Sequence, residues 1–316
     1  MFFARRLGHA ELCRRPLPDF VEHLHHAIDL GRREQPLRPL RPDVEERRLI
    51  ETAGLHHAVG RQLGNHQVDE LDLVRRSLGA GDRRGRAASP TVVQSQVHTL
   101  DGHRVTLDVH PAVGLLRGAA ILSHVFTRSL RTLAGHAQAL ADAGVLALTP
   151  NLPCTFHFRC NARARALAAL TRSLRAGGTF GAPVDRVMLV GFSAGGLSSL
   201  LAADTPGVVG FVGLDPFDRT MPGEAERLGL AAAGRLRTAA LLLRAPQSRC
   251  NAEAVTAPWG IVLPALWRDE LVAGASHCDF ESPTDWVCCL ACGDADPARQ
   301  QQVRQGLLDA AARWLR

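Results

Sequence analysis

The stretch Val187-Met-Leu-Val-Gly-Phe-Ser-Ala-Gly-Gly196 joins an apolar run to a turn of small residues. Residues 187–190 include no polar side chain, which is typical of a strand buried at the centre of a parallel sheet. The run leads directly into Gly191-Phe-Ser-Ala-Gly195, a GxSxG pattern, and residues 197–203 favour an amphipathic helix. We therefore predict a strand, a sharp turn with Ser193 at its tip, and a helix.

A serine hydroxyl is a poor nucleophile at neutral pH, so it needs a base that takes its proton and a turn that presents it. A GxSxG turn supplies this geometry, because the flanking glycines let the strand and the helix approach without a Cβ clash. The alternative is a glycine-rich turn with an incidental serine. We interpret Ser193 as the nucleophile of a serine hydrolase.

From residue 91 onward, short β-branched runs alternate with turns and helical segments, a pattern that favours a mostly parallel sheet with crossover helices. The predicted strands are 92–99, 105–109, 119–123, 145–148, 187–190, 208–214, 239–243 and 269–272, and the predicted helices are 130–143, 162–175 and 197–203. Asp101-Gly102 between the first two strands is a hairpin turn pair. The predicted fold class is α/β, the α/β-hydrolase fold, with a mostly parallel central sheet flanked by helices.

Residues 1–90 differ in composition from the rest of the chain. They are rich in Arg, His, Leu and Pro and have weak hydrophobic periodicity, so they offer little for a core. We interpret 1–90 as an N-terminal extension, disordered or partly helical, and 91–316 as the catalytic domain. A translation start placed too far upstream is an alternative explanation of the extension.

Composition limits the partners and the compartment. Every basic residue is arginine and the formal net charge is +6, but the arginines are scattered and no nucleic-acid-binding signature accompanies them. No apolar run reaches about 18 residues, and the first residues lack the apolar core of a signal peptide. We expect a monomer with no nucleic-acid partner and no membrane span, cytoplasmic as written; an Arg-rich nucleic-acid-binding arm and export are the alternatives.

The base is predicted from chain order. Hydrolases of this fold place the nucleophile, the acid and the histidine in that order, and of fourteen histidines only His277 follows Ser193. The oxyanion of an acyl-transfer intermediate needs two backbone N–H donors. We predict that Ala194 supplies one and Phe126 the other, with Val125 as the alternative. His124 is expected to shape the loop rather than act as a base.

The acid is expected on a loop at the carboxyl end of a strand, between the nucleophile and the base. The loop after the seventh predicted strand contains no carboxylate before Glu253. The sixth strand ends directly before Asp215, which would then lie beside the nucleophile. We predict Asp215 as the acid, with Asp218 and Glu253 as alternatives; a helix-capping role for Asp215 is a further interpretation.

Aromatic residues and cysteines complete the predicted site. Phe126, Phe217 and Trp259 are candidate substrate-binding residues, which favours an apolar ester. Five of the eight cysteines cluster in the last quarter of the chain, as disulfides or free thiols, and we predict a disulfide between Cys250 and Cys278 that ties the histidine loop to the preceding loop. We expect no cofactor and no metal, because a structural zinc site needs two spaced ligand pairs.

Three segments together resemble chlorophyllases and related bacterial lipase-like hydrolases, some of which are similar to polyester-degrading cutinases: VGFSAGG (190–196), GLDPFD (213–218) and GASHCDFES (274–282). In the plant enzymes the matching pieces read GHSRGG, GLDPV and GHMDFLD, and the acid is on the LDP segment. The resemblance covers 92–316 and implies Asp215 as the acid. The LPCTFHFRCN segment (152–161) has no counterpart in this pattern.

The sequence therefore predicts a lipase-like, esterase-like or chlorophyllase-like enzyme that cleaves a small-molecule carboxylic ester through a Ser-Asp-His triad and an acyl-enzyme. An amidase or peptidase uses the same three residues and is one alternative. A catalytically silent binding protein that has kept the fold is the other.

Overall fold

The structure, a computed structural model of the chain, describes residues 93–125, 128–154, 161–178, 180–218 and 227–316. The predicted extension over 1–90 lies outside the described residues. In the described part, eight strands form one sheet: β1 (Gln94–Leu100), β2 (His103–His110), β3 (Gly118–Ser123), β4 (Val145–Pro150), β5 (Val187–Phe192), β6 (Val208–Leu214), β7 (Ala239–Arg244) and β8 (Leu266–Leu271).

Helices connect these strands. Those of the described residues are α1 (Ala134–Asp142), α2 (Asn161–Ala176), α3 (Ala194–Ala202), α4 (Leu228–Arg235), α5 (Trp259–Val262), α6 (Trp286–Cys292) and α7 (Pro297–Trp314). Short 3-10 turns lie at Leu130–Leu133, Arg249–Asn251 and His277–Phe280. No helix in this part of the chain is both long and apolar enough to cross a membrane.

The sheet order is β1-β2-β4-β3-β5-β6-β7-β8. β2 runs antiparallel to both β1 and β4, and all the other neighbours are parallel. The hairpin turn at Asp101 and Gly102 has positive φ at both residues, as this type of turn requires. The predicted α/β fold with a mostly parallel sheet flanked by helices is confirmed.

The two faces of the sheet are both buried, because successive side chains of each strand point to opposite faces. In β3, Ala120 and Leu122 join a core with α1 and α7, while Ala119 and Ile121 join a second core with α2. A third core lies between α3, α4, α5 and the β6–β7 part of the sheet. Burial on both faces explains why the central strands read as continuous apolar runs rather than as alternating ones.

Most boundaries differ from the predicted ones by a few residues. The segment predicted as one helix over 130–143 begins with a 3-10 turn before α1, and β8 begins three residues earlier than predicted. The helix after the GxSxG turn starts at Ala194, directly after Ser193. The first turn of that helix therefore belongs to the motif itself.

Candidate active site

Ser193 stands on a sharp turn between β5 and α3. Its backbone has φ 52° and ψ −120°, a conformation that a residue with a side chain adopts only when its surroundings impose it. The Ser193 N–H donates to the Leu214 carbonyl at 3.0 Å, and its own carbonyl accepts from the N–H groups of Gly196 and Phe217. β6 and the residues after it thus hold the turn from one side.

Glycines let the end of β3 approach the same turn from the other side. A Cβ on Gly195 would lie 2.2 Å from the Ser123 carbonyl oxygen, and a Cβ on Gly191 would lie 2.3 Å from the Gly195 carbonyl oxygen. Both obstacles are backbone atoms and cannot move away cheaply. The GxSxG glycines are therefore required by close packing around the serine.

Asp215 directly follows β6 and contacts His277. Asp215 Oδ2 lies 2.6 Å from His277 Nδ1, and both side chains are buried. The other carboxylate oxygen, Oδ1, accepts from the Ala245 N–H at 3.0 Å and from Asn251 Nδ2 at 3.2 Å. A carboxylate held at both oxygens fixes the orientation of the imidazole, with Nδ1–H donating to the carboxylate and Nε2 left as an acceptor.

His277 begins a 3-10 turn that is fixed at both ends. The Ser276 hydroxyl accepts from the Cys278 N–H, and the Asp279 carboxylate accepts from the Ser276 N–H at 2.7 Å and from Arg299 Nε at 2.8 Å. The imidazole ring lies 4.6 Å, centroid to centroid, from the ring of Phe192, the residue before Ser193. The histidine is thus packed beside the serine turn, and its side chain has little freedom to rotate away.

The alternative acids lie elsewhere. Asp218 is buried, and its Oδ2 accepts from the Leu230 N–H in the first turn of α4. Glu253 is exposed and lies in the loop between β7 and α5. Among the described residues, Asp215 is the carboxylate hydrogen-bonded to His277.

Of the two predicted oxyanion donors, Ala194 lies within the described residues. Ala194 is the first residue of α3, so its N–H is one of those that have no partner within the helix. Phe126 lies outside the described residues. Val125 and Arg128 flank the two residues that are not described, and the Arg128 N–H donates to the Val125 carbonyl at 3.4 Å.

His124, directly after β3, is buried and makes two hydrogen bonds. Its Nδ1 lies 2.8 Å from the Val125 carbonyl, and its Nε2 accepts from the Leu152 N–H at 3.2 Å. Burial, with a smaller contribution from the charge of Arg163, lowers the pKa of His124 to about 3, so the ring is neutral at physiological pH. These contacts occupy both ring nitrogens and leave His124 to shape the loop.

Arg163 was missed in the sequence. It lies in the first turn of α2, fully buried, and its Nη2 donates to the His124 carbonyl at 2.6 Å. Nε and Nη1 have no hydrogen-bond partner among the described residues, and burial lowers the pKa of Arg163 to about 10. The available signal was helical spacing, because Arg163 falls on the same face of α2 as the buried Leu167 and Leu170.

Asn251 was missed as well. Its Nδ2 donates to Asp215, and its Oδ1 accepts from the N–H groups of Ser248 and Ala254, both at 2.9 Å. The side chain therefore closes its own loop and holds the carboxylate at the same time. In the sequence Asn251 is one of several polar residues in the loop after β7, and nothing there distinguishes it from the others.

The predicted Cys250–Cys278 disulfide is wrong. Cys250 pairs with Cys292, and Cys278 pairs with Cys288. The physical reason is α6, which carries Cys288 and Cys292 four residues apart on one face and lies between the two loops that the prediction joined directly. The helix, rather than a direct bond, links the loop of Asn251 to the loop of His277.

Metal binding at this cluster is disfavoured. The sulfur atoms of Cys278, Cys288 and Cys292 lie within 4.8 Å of one another. All three are in disulfides, so none is a thiolate that could bind zinc.

The predicted substrate-binding aromatics have different positions in the structure. Trp259 is wrong as a pocket residue, because it is fully buried in the third core with Leu197 and Phe211. Phe217 lies next to the serine turn through its N–H bond to the Ser193 carbonyl, and its contact with substrate stays a prediction.

Comparison with known proteins bears on the fold. Neither a protein-family model nor a curated protein sequence matches the chain. A dienelactone hydrolase from Anabaena variabilis is similar in structure, with 18% identity, a TM-score of 0.55, and 72% of this chain and 100% of that one covered. The esterase domain of a Rhodothermus marinus protein has 15% identity and a TM-score of 0.51, covering 71% of this chain and 100% of its own.

A third similar structure is a Xanthomonas campestris protein described as an α/β serine hydrolase without a lid. It is 18% identical, with a TM-score of 0.50, and the match covers 73% of this chain and 98% of that one. At these identities the likeness is one of fold. The fold of this protein is that of the α/β hydrolases.

Proposed function

We propose that this protein is a serine hydrolase that cleaves carboxylic esters through an acyl-enzyme intermediate. The observation that carries the proposal is the 2.6 Å contact between Asp215 Oδ2 and His277 Nδ1, beside a strained turn that presents Ser193. A nucleophile on a strained turn, a base packed next to it and a carboxylate that orients the base are the parts that acyl transfer needs.

In the acylation step, Ser193 Oγ attacks the ester carbonyl carbon, and His277 Nε2 takes the hydroxyl proton. The carboxylate of Asp215 stabilises the imidazolium that forms. The amides of Ala194 and Phe126 donate to the oxyanion of the tetrahedral intermediate. His277 then returns the proton to the alcohol oxygen as the C–O bond breaks, which leaves the acyl group on Ser193.

In the deacylation step, a water molecule replaces the alcohol. His277 Nε2 takes a proton from the water as its oxygen attacks the acyl carbon, and it then returns a proton to Ser193 Oγ as the acid leaves. The cycle needs no cofactor and no metal. The apolar side chain of Phe217 next to the turn favours an ester with an apolar acyl or aromatic group.

All described cysteines are in disulfides. Disulfides persist in oxidising compartments, so we propose that the enzyme works in one. The protein is proposed to act as a monomer on a small-molecule ester.

The first prediction tests the nucleophile by covalent labelling. A fluorophosphonate probe is expected to attach to Ser193 in the intact protein, because an activated serine displaces fluoride from phosphorus, and peptide mass spectrometry identifies the modified residue. Ser193→Ala is expected to remain unlabelled. Ser198→Ala is the matched control: this serine lies in α3, its hydroxyl is bonded to the Ala194 carbonyl, and its loss should leave labelling intact.

A substrate panel then separates the reaction classes. We expect p-nitrophenyl acetate, butyrate and octanoate to be hydrolysed and p-nitroanilides of the same acids to react far more slowly. Faster turnover of the anilides would favour an amidase or peptidase. Absence of both labelling and turnover in the folded protein would favour a silent binding protein and contradict the proposal.

The second prediction concerns Arg163, which holds the carbonyl of His124 at the end of β3. We expect Arg163→Met to lower kcat about tenfold with little change in KM, because the His124 carbonyl loses its donor and the backbone that leads to the predicted oxyanion donor loses its fixed orientation. Thermal stability should change less than activity, since removing a buried charge with two unpaired donors offsets the lost hydrogen bond.

Arg165→Met is the matched control for Arg163. Arg165 lies two residues further along α2, and its exposed side chain pairs with Asp101 on the surface. Its replacement should leave kcat within about twofold. Equal kcat values for the Arg163 variant, the Arg165 variant and the wild type would show that Arg163 has no effect on the reaction.

A further inference from the structure

Arg128 connects the end of β3 to the segment that follows His277. Its N–H donates to the Val125 carbonyl, and its side chain is only 15% exposed. Nε lies 3.5 Å from Glu281 Oε1, and Nη2 lies 3.2 Å from Asp285 Oδ1. One guanidinium therefore connects the residue two positions after the predicted oxyanion donor to the loop of the predicted base.

Glu281 is an unusual residue to find in the interior. Its side chain is fully buried, and its carboxyl oxygens make no hydrogen bond of full geometry to a described residue, while the Asp285 backbone N–H and the Arg128 guanidinium lie close enough to favour the ionised form in part. Burying a carboxyl group without hydrogen bonds costs free energy, and the cost is larger for the ionised form. The ion pair with Arg128 offsets only part of that cost, and the mechanism proposed above does not use Glu281.

The pKa of Glu281 is raised to about 8. Burial is the main cause, the charge of Asp285 adds to it, and Arg128 opposes it. The carboxyl is therefore mostly neutral at pH 7 and becomes a carboxylate as the pH rises through about 8.

Other elements also pack against this segment. From α1, His136 Nε2 lies 3.2 Å from the Phe280 carbonyl, and burial lowers the pKa of His136 to about 4, so it stays neutral above pH 5. From α7, Gln300 donates to the Glu281 carbonyl at 3.1 Å, and Arg304 donates to Ser282 Oγ at 3.3 Å. Arg128 and Arg304 supply the cations of this group of side chains, and Glu281 is the member whose pKa is raised to about 8.

We propose that Arg128 and Glu281 are positioning residues, which hold the segment that follows β3 at Arg128 against the loop of His277, and that loss of the Glu281 proton strengthens this hold. The proposal rests on the proposed hydrolase function. The ionised carboxylate attracts the guanidinium more strongly than the neutral acid does, in a site where water does not screen the pair. The predicted oxyanion donors and the base are then kept at a fixed position relative to each other.

The effect is expected in kcat, as a function of pH. Gln is close in shape to the protonated carboxyl, so Glu281→Gln should keep kcat within about twofold of the wild type at pH 6. At pH 9.5 the wild type has the ion pair and the variant does not, and the ratio of their kcat values is expected to reach about ten. Arg128→Met should lower kcat at both pH values. In the Arg128→Met background, the ratio of kcat between the protein with Glu281 and the protein with Glu281→Gln should no longer depend on pH.

Two control variants remove the same kinds of group at exposed positions. Arg131→Met changes an exposed arginine of the adjacent 3-10 turn, and Glu253→Gln changes an exposed carboxylate. Both should match the wild type at both pH values. The proposal would be overturned if the ratio of wild-type kcat to Glu281→Gln kcat did not change between pH 6 and 9.5. It would also be overturned if the pH dependence of this ratio remained in the Arg128→Met background.

Thermal unfolding gives a readout that does not need hydrolysis. The folded protein keeps the Glu281 proton up to about pH 8, and the unfolded chain releases it near the ordinary value, so wild-type stability falls as pH rises between these values. Glu281→Gln has no such titration, so the Tm of the variant minus the Tm of the wild type should increase from pH 5 to pH 9. In the Arg128→Met background this increase should be larger, because the Arg128 charge no longer lowers the pKa of Glu281 in the folded protein.

The two hypotheses can fail separately. If esters are hydrolysed but the Tm gain is the same with and without Arg128, the pair is not coupled and the positioning role is wrong. If no ester or amide is hydrolysed, the proposed function is wrong, and the Tm measurements alone then decide whether Arg128 and Glu281 hold the two segments together.

Discussion

Asp215→Asn is expected to lower kcat for ester hydrolysis by about 10⁴-fold, with a small change in KM. The carboxylate accepts from His277 Nδ1 through one oxygen and from Ala245 and Asn251 through the other. An asparagine has one oxygen, and its NH2 group cannot accept. If that oxygen stays with Ala245 and Asn251, the NH2 group faces His277 and selects the ring tautomer with the proton on Nε2, which cannot take the proton of Ser193.

The same substitution at the alternative acids provides the control. Asp218→Asn keeps an oxygen for the Leu230 N–H, and Glu253→Gln changes an exposed side chain, so both variants should retain kcat within about threefold. The measurement is kcat and KM on p-nitrophenyl butyrate, with circular dichroism as the check of folding. An active Asp215→Asn enzyme together with an inactive Asp218→Asn enzyme would move the acid to Asp218.

The fold could be predicted because its signals are local. The apolar run before Ser193, the Asp101-Gly102 pair and the alternation of short strands with helices each depend on a few neighbouring residues, and burial of the parallel strands on both faces makes them continuous and apolar. Chain order then left one histidine after Ser193. Positive φ at Ser193 and at Asp215, by contrast, has no signal in residue type, since neither is a glycine.

The rest of the site depends on contacts between distant segments. Arg163 read as one more surface arginine of a basic chain, and only the helix face on which it lies distinguishes it. Trp259 read as a pocket residue, but α5 turns its ring into the core. The cysteine pairs depend on where α6 lies relative to two loops, and spacing along the chain contains no such information.

Removal of the disulfides is expected to lower the free energy of unfolding by several kcal/mol. The Cys250–Cys292 bridge closes a separation of 42 residues and the Cys278–Cys288 bridge one of 10. In the chain-entropy treatment these loops correspond to about 4 and about 3 kcal/mol of unfolding free energy. Cys250→Ser with Cys292→Ser is therefore expected to destabilise the protein more than Cys278→Ser with Cys288→Ser.

The effects on activity should fall in the opposite order. Cys278 directly follows His277, so loss of its bridge frees the turn that carries the imidazole, and we expect kcat to fall about tenfold or more. Cys250 precedes Asn251, whose own hydrogen bonds within its loop hold it after the bridge is lost, so a fall of about threefold is expected there.

The substitutions must be made in pairs, because the sulfur atoms of Cys278, Cys288 and Cys292 lie within 4.8 Å of one another. A single substitution leaves a thiol next to the remaining disulfide, and thiolate attack on that bridge would exchange the pairs. Urea unfolding and kcat are measured for both double variants, and for the wild type with and without reductant. Unchanged unfolding free energy in both double variants would contradict the stabilising role of the bridges, and unchanged kcat in the Cys278 and Cys288 double variant would show that the bridge does not position His277.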